Sequence, residues 1–288
     1  MSAVEVIELS KTFGKSNRAL NNVSLTLNPG EMVALIGASG SGKSTLIRHI
    51  AGLVCSDRGA STVKVFNEPI QHNGRIAKGV RKRRTEIGVV FQQFNLVSRL
   101  TVLTNVLTGV LGRAPFWRTW LGIFTNAERK LAMTALARVG IAAHATKRAS
   151  NLSGGQQQRA AIARTIVQGA KLILADEPIA SLDPAAWVKV MDNLKRVNEE
   201  DGVTVLVSLH QVDYAIAYCP RTVAMRAGEV VFDGPSHQLT PELLRELYGS
   251  GSLDLIAGSA EIDSRAQKTR PVKAAENNPN PALAYAAG

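Results

Sequence analysis

Cysteine is nearly absent. The 288 residues include two, Cys55 and Cys219, which form neither a metal-ligand nor a redox spacing and cannot build a disulfide framework. Two separate buried thiols suit a reducing compartment. Aromatic residues are scarce at 5% of the chain. Long apolar runs are also missing: the best stretches, Met32–Ile36, Leu172–Ala175 and Val203–Leu209, are strand-sized. They fall well short of the roughly 18 to 20 residues that cross a bilayer, so the chain is not expected to span a membrane by itself. Met1 to Ser10 holds Glu5 and Glu8 and has no basic segment leading into an apolar one, so no secretory signal is expected. No internal repeat is visible. Collagen-like, fibrous and disulfide-stapled classes are excluded.

What remains is an ordinary globular composition, 45% hydrophobic and 20% charged, with a formal net charge of +11. The chain is long enough to bury a sizeable core. The pI near 10.0 and the run Arg81-Lys82-Arg83-Arg84 would suit an anionic bilayer surface or nucleic acid. A nucleic-acid role would also want interleaved aromatics or a recognition module. Neither is found, so no nucleic-acid partner is expected. From Ser250 to Gly288 acidic and basic residues balance, four against four, and the composition turns to Ala, Ser, Asn and Pro. That stretch reads as a low-complexity tail without stable structure, outside a domain of residues 1–249.

Within the domain, short β-branched runs alternate with segments of helical period, the pattern of an α/β sheet with helices on its faces. Val4–Leu9 and Val23–Leu27 alternate apolar with polar, as half-exposed antiparallel strands do. Met32–Ile36, Ile87–Phe91, Leu172–Ala175 and Val203–Ser208 are continuously apolar, as central parallel strands are. From about 95 to 165, Leu, Val and Ala recur at helical spacing, through Thr101–Leu111 and Ala127–Val139, which predicts a helical insert.

Chemistry enters after the strand Met32–Ile36. It runs into Gly37-Ala38-Ser39-Gly40-Ser41-Gly42-Lys43-Ser44-Thr45 and then a helical segment. Glycines let such a loop turn its N–H groups inward, the helix adds its positive end, Lys43 reaches the β- and γ-phosphates, and Ser44 can ligate Mg²⁺. These parts together fit a polyphosphate such as ATP. A triphosphatase also needs a carboxylate for the metal and a group for the attacking water. The strand Leu172–Ala175 ends in Asp176-Glu177, at the sheet edge where doubly wound folds bind ligand. Asp176 suits the metal and Glu177 the water.

Asn151-Leu152-Ser153-Gly154-Gly155-Gln156-Gln157-Gln158-Arg159 resembles the signature motif of ATP-binding-cassette ATPases. In physical terms Ser153 is a good N-cap and the glycines permit close approach, making a second helix N-terminus suited to an anion. The resemblance implies a P-loop NTPase of the α/β class, an ABC-type core with an antiparallel β subdomain and a helical subdomain insert. It also implies a head-to-tail homodimer in which Ser153, Gly154, Gly155 and Gln156 of one copy face the phosphate loop of the other. Under the same resemblance Gln92 matches the glutamine that contacts Mg²⁺ and the water. Ser181-Leu182-Asp183 matches the loop after the catalytic carboxylate, and His210 matches the histidine that contacts the γ-phosphate. Phe13 takes the aromatic position that stacks on adenine, where Tyr is usual.

A narrower resemblance rests on Phe91 to Leu100, Ala114-Pro115-Phe116-Trp117-Arg118-Thr119, Ala175 to Pro184 and Leu209 to Ala215. These stretches are similar to the ATPase subunit of bacterial phosphonate importers. That likeness implies a peripheral subunit at the cytoplasmic face of the inner membrane. It would dock on separate transmembrane permease subunits and serve, indirectly, a periplasmic solute-binding protein. The aromatic pair Phe116-Trp117 suggests a docking surface. Importers of another small polar solute, such as an amino acid, share part of these stretches, and cassettes acting on nucleic acid or the ribosome form a separate alternative.

Overall fold

The computed structural model describes residues 1–248 except Lys15 and Ser181. The expected tail, Ser181 of the Ser181-Leu182-Asp183 motif and the side chain of Phe116 lie outside the described residues.

The chain opens with β1 (Val4–Phe13) and β2 (Asn17–Leu27), paired antiparallel with Val4 opposite Leu27 and Phe13 opposite Asn17. Both strands are longer than Val4–Leu9 and Val23–Leu27, because register shifts between Val6 and Thr12 carry the ladder on through polar sequence. Next come β3 (Met32–Ile36), α1 (Lys43–Ile50), β4 (Thr62–Val65), β5 (Glu68–His72), β6 (Arg75–Ile76), α2 (Val80–Arg84) and β7 (Ile87–Val90). A helical stretch follows, with α3 (Val102–Leu107), α4 (Phe116–Leu121), α5 (Asn126–Arg138) and α6 (Gly154–Gln168). The chain then returns to strands through β8 (Leu172–Ala175), α7 (Pro184–Asp201), β9 (Thr204–Ser208), α8 (Val212–Tyr218), β10 (Arg221–Arg226), β11 (Glu229–Pro235) and α9 (Pro241–Tyr248).

Two sheets result. One has the order β2-β1-β4-β5-β6, and the other β11-β10-β3-β9-β8-β7. In the second, β10, β3, β9, β8 and β7 are parallel to one another and β11 is antiparallel to β10. Side chains of successive strand residues point to opposite faces, and β3 shows what each face buries. Val33 and Leu35 join Leu46, Ile47 and Ile50 of α1 and the inner residues of the antiparallel sheet. Met32, Ala34 and Ile36 join the helices on the other side, including Ile162 of α6 and Leu194 of α7. The parallel sheet is therefore the middle of three layers, which is why its strands are apolar without interruption.

One strand differs from its expected place. Ile87–Phe91 has the composition of a central strand, yet β7 ends at Val90 and lies at the sheet edge. Helix α6 covers it: Thr165 packs where a side chain on Gly88 would project, and Gln168 Nε2 donates to Ile87 O at 2.9 Å. An edge roofed by a helix needs apolar residues as much as a central strand does.

Helices α3 to α5 lie within residues 95–165, and α6 runs on to Gln168. The Thr101–Leu111 periodicity breaks after Leu107 into a 3₁₀ turn, Thr108–Val110. Thr125 and Glu128 form a capping box at the start of α5, and Glu128 also pairs with Arg118, which fastens the short α4 against α5. On that clamped helix Trp117 is 59% exposed and Trp120 is 79% exposed. Among the described residues no helix is long and apolar enough to cross a membrane.

Candidate nucleotide site

Three neighbouring parallel strands set the site. Their order β3-β9-β8 brings the loop after Ile36, Ser208 with His210, and Asp176 with Glu177 to the same end of the sheet. Helix α1 begins at Lys43 behind Gly42, with no side-chain cap and no acidic residue in its first turn, so its leading N–H groups are free to meet an anion. Two glycines are required by the turn itself. Gly37 has φ +145° and a Cβ there would lie 2.2 Å from Met225 O; Gly42 has φ +106° and a Cβ there would lie 2.5 Å from Ala19 O.

The resulting cavity, about 310 Å³, is lined by Phe13, Asn17, Ala19, Ser39, Gly40, Ser41, Gly42, Lys43, Ser44, Thr45 and Glu177. A larger hollow of about 680 Å³ beside Gly30, Asn198 and Arg221 collects none of the motif residues. Gly37 and Ala38 hold the back of the loop: Lys43 Nζ donates to Gly37 O at 2.8 Å and to Ala38 O at 3.2 Å. Burial pulls the Lys43 pKa down, while the carboxylates of Glu177 and Asp176 act in the opposite direction. Ser41 Oγ is buried in the loop, close to Gly37, without a hydrogen-bond partner. Phe13 is 43% exposed at the cavity rim, with Lys11 Nζ 5.4 Å from its ring centroid. The ring is not a core plug, and it offers a flat face to a planar base.

Behind the loop, Ser44 Oγ donates to Asp176 Oδ1 at 2.8 Å. A hydroxyl and a carboxylate oxygen in contact are hard donors of the kind Mg²⁺ takes. No group of three or more His, Cys, Asp or Glu that could hold a metal exists among the described residues. Ser208, which the motif reading passed over, serves both acidic residues: its Oγ donates to Asp176 Oδ1 at 3.1 Å and accepts the Glu177 N–H at 2.8 Å. Its signal in the sequence was a lone hydroxyl closing an apolar strand. Glu177 has φ +50°, a conformation uncommon for a residue other than glycine. Its Oε1 lies 2.6 Å from His210 Nε2.

The structure does not bring every motif residue to this cavity. Gln92 is exposed and outside the lining. It precedes two consecutive left-handed residues, Phe94 at φ 56° and Asn95 at φ 48°. Ser153, Gly154, Gly155 and Gln156 also lie outside the lining. At the head of α6, Ser153 Oγ accepts the Gln156 N–H and Gln156 Oε1 accepts the Ser153 N–H. That box satisfies two of the amides an anion would otherwise engage. A Cβ on Gly155 would lie 2.7 Å from Ala186 Cβ and one on Gly154 3.0 Å from Leu182 Cδ2, so both glycines admit the first turn of α7 and the loop before it.

With that geometry in place, likeness to known proteins can be judged. The family described as ABC transporter matches residues 20–180. A phosphonates import ATP-binding protein (PhnC) of Paraburkholderia xenovorans strain LB400 is 55% identical over 99% of this chain and 94% of its own length. One from Burkholderia pseudomallei strain K96243 is 59% identical over 86% of this chain and 81% of its own length. Among solved structures, the dimeric structure of MJ0796, a bacterial ABC transporter cassette, is 35% identical, with a TM-score of 0.71 over 82% of this chain and all of that one. The same cassette in a dimeric post-hydrolysis state bound to ADP and Pi matches with a TM-score of 0.69. A phosphate loop at the head of α1, two carboxylates at the end of β8 and these likenesses agree, and the chain belongs to the ABC transporter family as a P-loop ATPase cassette.

Proposed function

We propose that this cassette hydrolyses ATP to drive import of a phosphonate, or a related phosphorus oxyanion, through separate membrane subunits. The observation that carries the reading is 55% identity across 99% of the chain to a relative named for phosphonate import. It is supported by the contacts of Lys43 with Gly37, of Ser44 with Asp176 and of His210 with Glu177.

In this reading the adenine stacks on Phe13, and the amides of Ser39 to Thr45 with Lys43 hold the phosphates. Ser44 and Asp176 hold Mg²⁺, which when bound neutralises phosphate charge. Glu177 orients the attacking water and takes its proton, while His210 meets the γ-phosphate. Gln92 joins them when the bend at Phe94 and Asn95 swings it inward. Ser153, Gly154, Gly155 and Gln156 act on the site of a second copy, which explains why they lie off the cavity of their own chain.

Residues 1–249 then form the ATPase domain and about 95–165 its helical insert. That insert contains ten Lys and Arg but a single acidic residue, Glu128. Trp117 and Trp120, exposed on α4, are the surface offered to a permease subunit, and the reading puts the chain at the cytoplasmic side of the inner membrane. A periplasmic binding protein acts through the permease and does not touch this chain. No nucleic acid takes part.

The test is the ATPase rate in vesicles containing the permease and the binding protein, with phosphonate, phosphate, phosphite or an amino acid as sole ligand. Phosphonate should stimulate turnover. Replacing Trp117 and Trp120 by Ala should weaken that stimulation and leave basal ATP binding intact. Stimulation by an amino acid and by none of the phosphorus oxyanions would overturn the cargo.

A further inference from the structure

The phosphate loop is fastened at its first glycine by a residue from the far end of the described chain. Tyr248, the last residue of α9, accepts the Gly37 N–H on its hydroxyl at 3.1 Å, across 211 positions of sequence. Burial pushes the phenol up to about 12, against the Gly37 N–H, which favours the ionised oxygen. Helix α9 is itself held. Leu244 and Leu247 are buried in the helical-side core, and Arg226 Nη1 donates to Glu246 O near the helix C-terminus at 3.3 Å.

Gly37 is where this attachment matters. Its N–H is tied to Tyr248 and its carbonyl accepts Lys43 Nζ at 2.8 Å, so one residue at φ +145° links the phenol to the lysine. No side chain can enforce that angle from within, because a Cβ at Gly37 would run into Met225 O. The geometry points to Tyr248 as a positioning residue for the phosphate loop: it fixes the Ile36–Gly37 peptide, and through Gly37 it fixes the carbonyl on which Lys43 rests. It touches no nucleotide and acts by keeping the loop preorganised. The inference rests on the ATP-binding reading of the loop.

The experiment compares Tyr248→Phe, Leu247→Ala and Lys43→Ala in the full chain. Nucleotide affinity is read with a fluorescent ATP analogue, KM and kcat with ATP, and stability by thermal melting. Phe keeps the ring and removes the acceptor. Tyr248→Phe should weaken affinity and raise KM by about three- to tenfold, the effect of one hydrogen bond to backbone. Its kcat should change less than about twofold, and its melting temperature should fall less than that of Leu247→Ala, since one amide loses its partner while the core stays packed. Leu247→Ala should lower the melting temperature markedly. Affinity within about twofold of native in Tyr248→Phe would overturn the inference. So would a loss of affinity that only accompanies a fall in melting temperature, as in Leu247→Ala, because the hydroxyl would then be part of general packing. Lys43→Ala keeps the two readings apart: if it binds ATP normally the ATP reading of the loop fails, whereas a Lys43 defect with a silent Tyr248→Phe defeats the positioning role alone.

Discussion

His210 Nε2 lies 2.6 Å from Glu177 Oε1, joining the residues that follow β9 and β8. Because those strands are neighbours in the parallel sheet, the contact needs no long loop. It brings an imidazole against the carboxylate assigned to the water. Any change at either side chain alters the other's partner, so the two should be tested separately.

Glu177→Gln is expected to bind ATP and to lose hydrolysis by about 10²- to 10⁴-fold, the usual contribution of a positioned base. Bound ATP should then accumulate a dimer, seen by size-exclusion chromatography with ATP. Native turnover in the variant would remove Glu177 from the mechanism.

Mixing should reveal whether the motif at the head of α6 works across two chains. Ser153→Arg and Lys43→Ala, each inactive alone, should regain partial activity when combined, because one mixed dimer keeps one intact composite site. ATPase rate against mixing ratio is the measurement. A mixture that forms dimers yet stays at the level of the separate variants counts against the head-to-tail arrangement.

Ser208→Ala removes one acceptor and one donor shared by Glu177 and Asp176. Leaving those groups without partners should cost about 1 to 3 kcal/mol. In a chain of this size that lowers the melting temperature by about 3 to 10 °C. Hydrolysis should fall more than ATP affinity, since Ser208 does not line the cavity. Unchanged stability and turnover would show that the serine is a bystander.

Alkaline pH should weaken the fold. Burial raises the Cys219 thiol from 9.0 to about 12 and the Tyr248 phenol from 10.0 to about 12, and it raises the Tyr218 phenol as well. All three are held in the protonated form, so the native state binds more protons than the unfolded chain once pH passes the unfolded values. Their stabilisation is fully present below about pH 9 and is lost as pH climbs toward 12. Melting temperatures at pH 7, 9.5 and 10.5 should decline in that order. A flat profile would mean these groups ionise freely in the folded state.

The legible parts of this molecule were those in which local sequence settles the geometry. Met32–Ile36 and Leu172–Ala175 form strands with the expected ends, because an unbroken apolar run bounded by glycine or by Asp-Glu leaves the chain little choice. The phosphate loop was legible for the same reason: its glycines and Lys43 act within nine residues of one another. Contacts made across the fold were hidden. Ser208 gains its partners from the residues after β8, and Tyr248 gains Gly37 from a loop more than two hundred residues away. The edge position of β7 was hidden too, since Gly88 and Ile87 look the same whether their neighbour is a strand or Gln168 of α6. The capping box at Ser153 could be read as two motifs at once, an anion site and a helix start, and only the hydrogen bonds of Gln156 show how fully the second is satisfied.

The placement of Ser153 and Gly154 outside the cavity has a kinetic consequence. If a chain offers half of two different sites and a whole of neither, hydrolysis by the free protein is second order in chain concentration when dilute. It should then fade on dilution faster than the protein itself. Two copies carried by one membrane assembly escape that law. Tethering replaces bulk concentration with an effective one, of millimolar order for short links. The intrinsic attraction between copies can therefore stay weak. A weak pair separates readily after each hydrolysis, and a transport cycle needs that separation as much as closure.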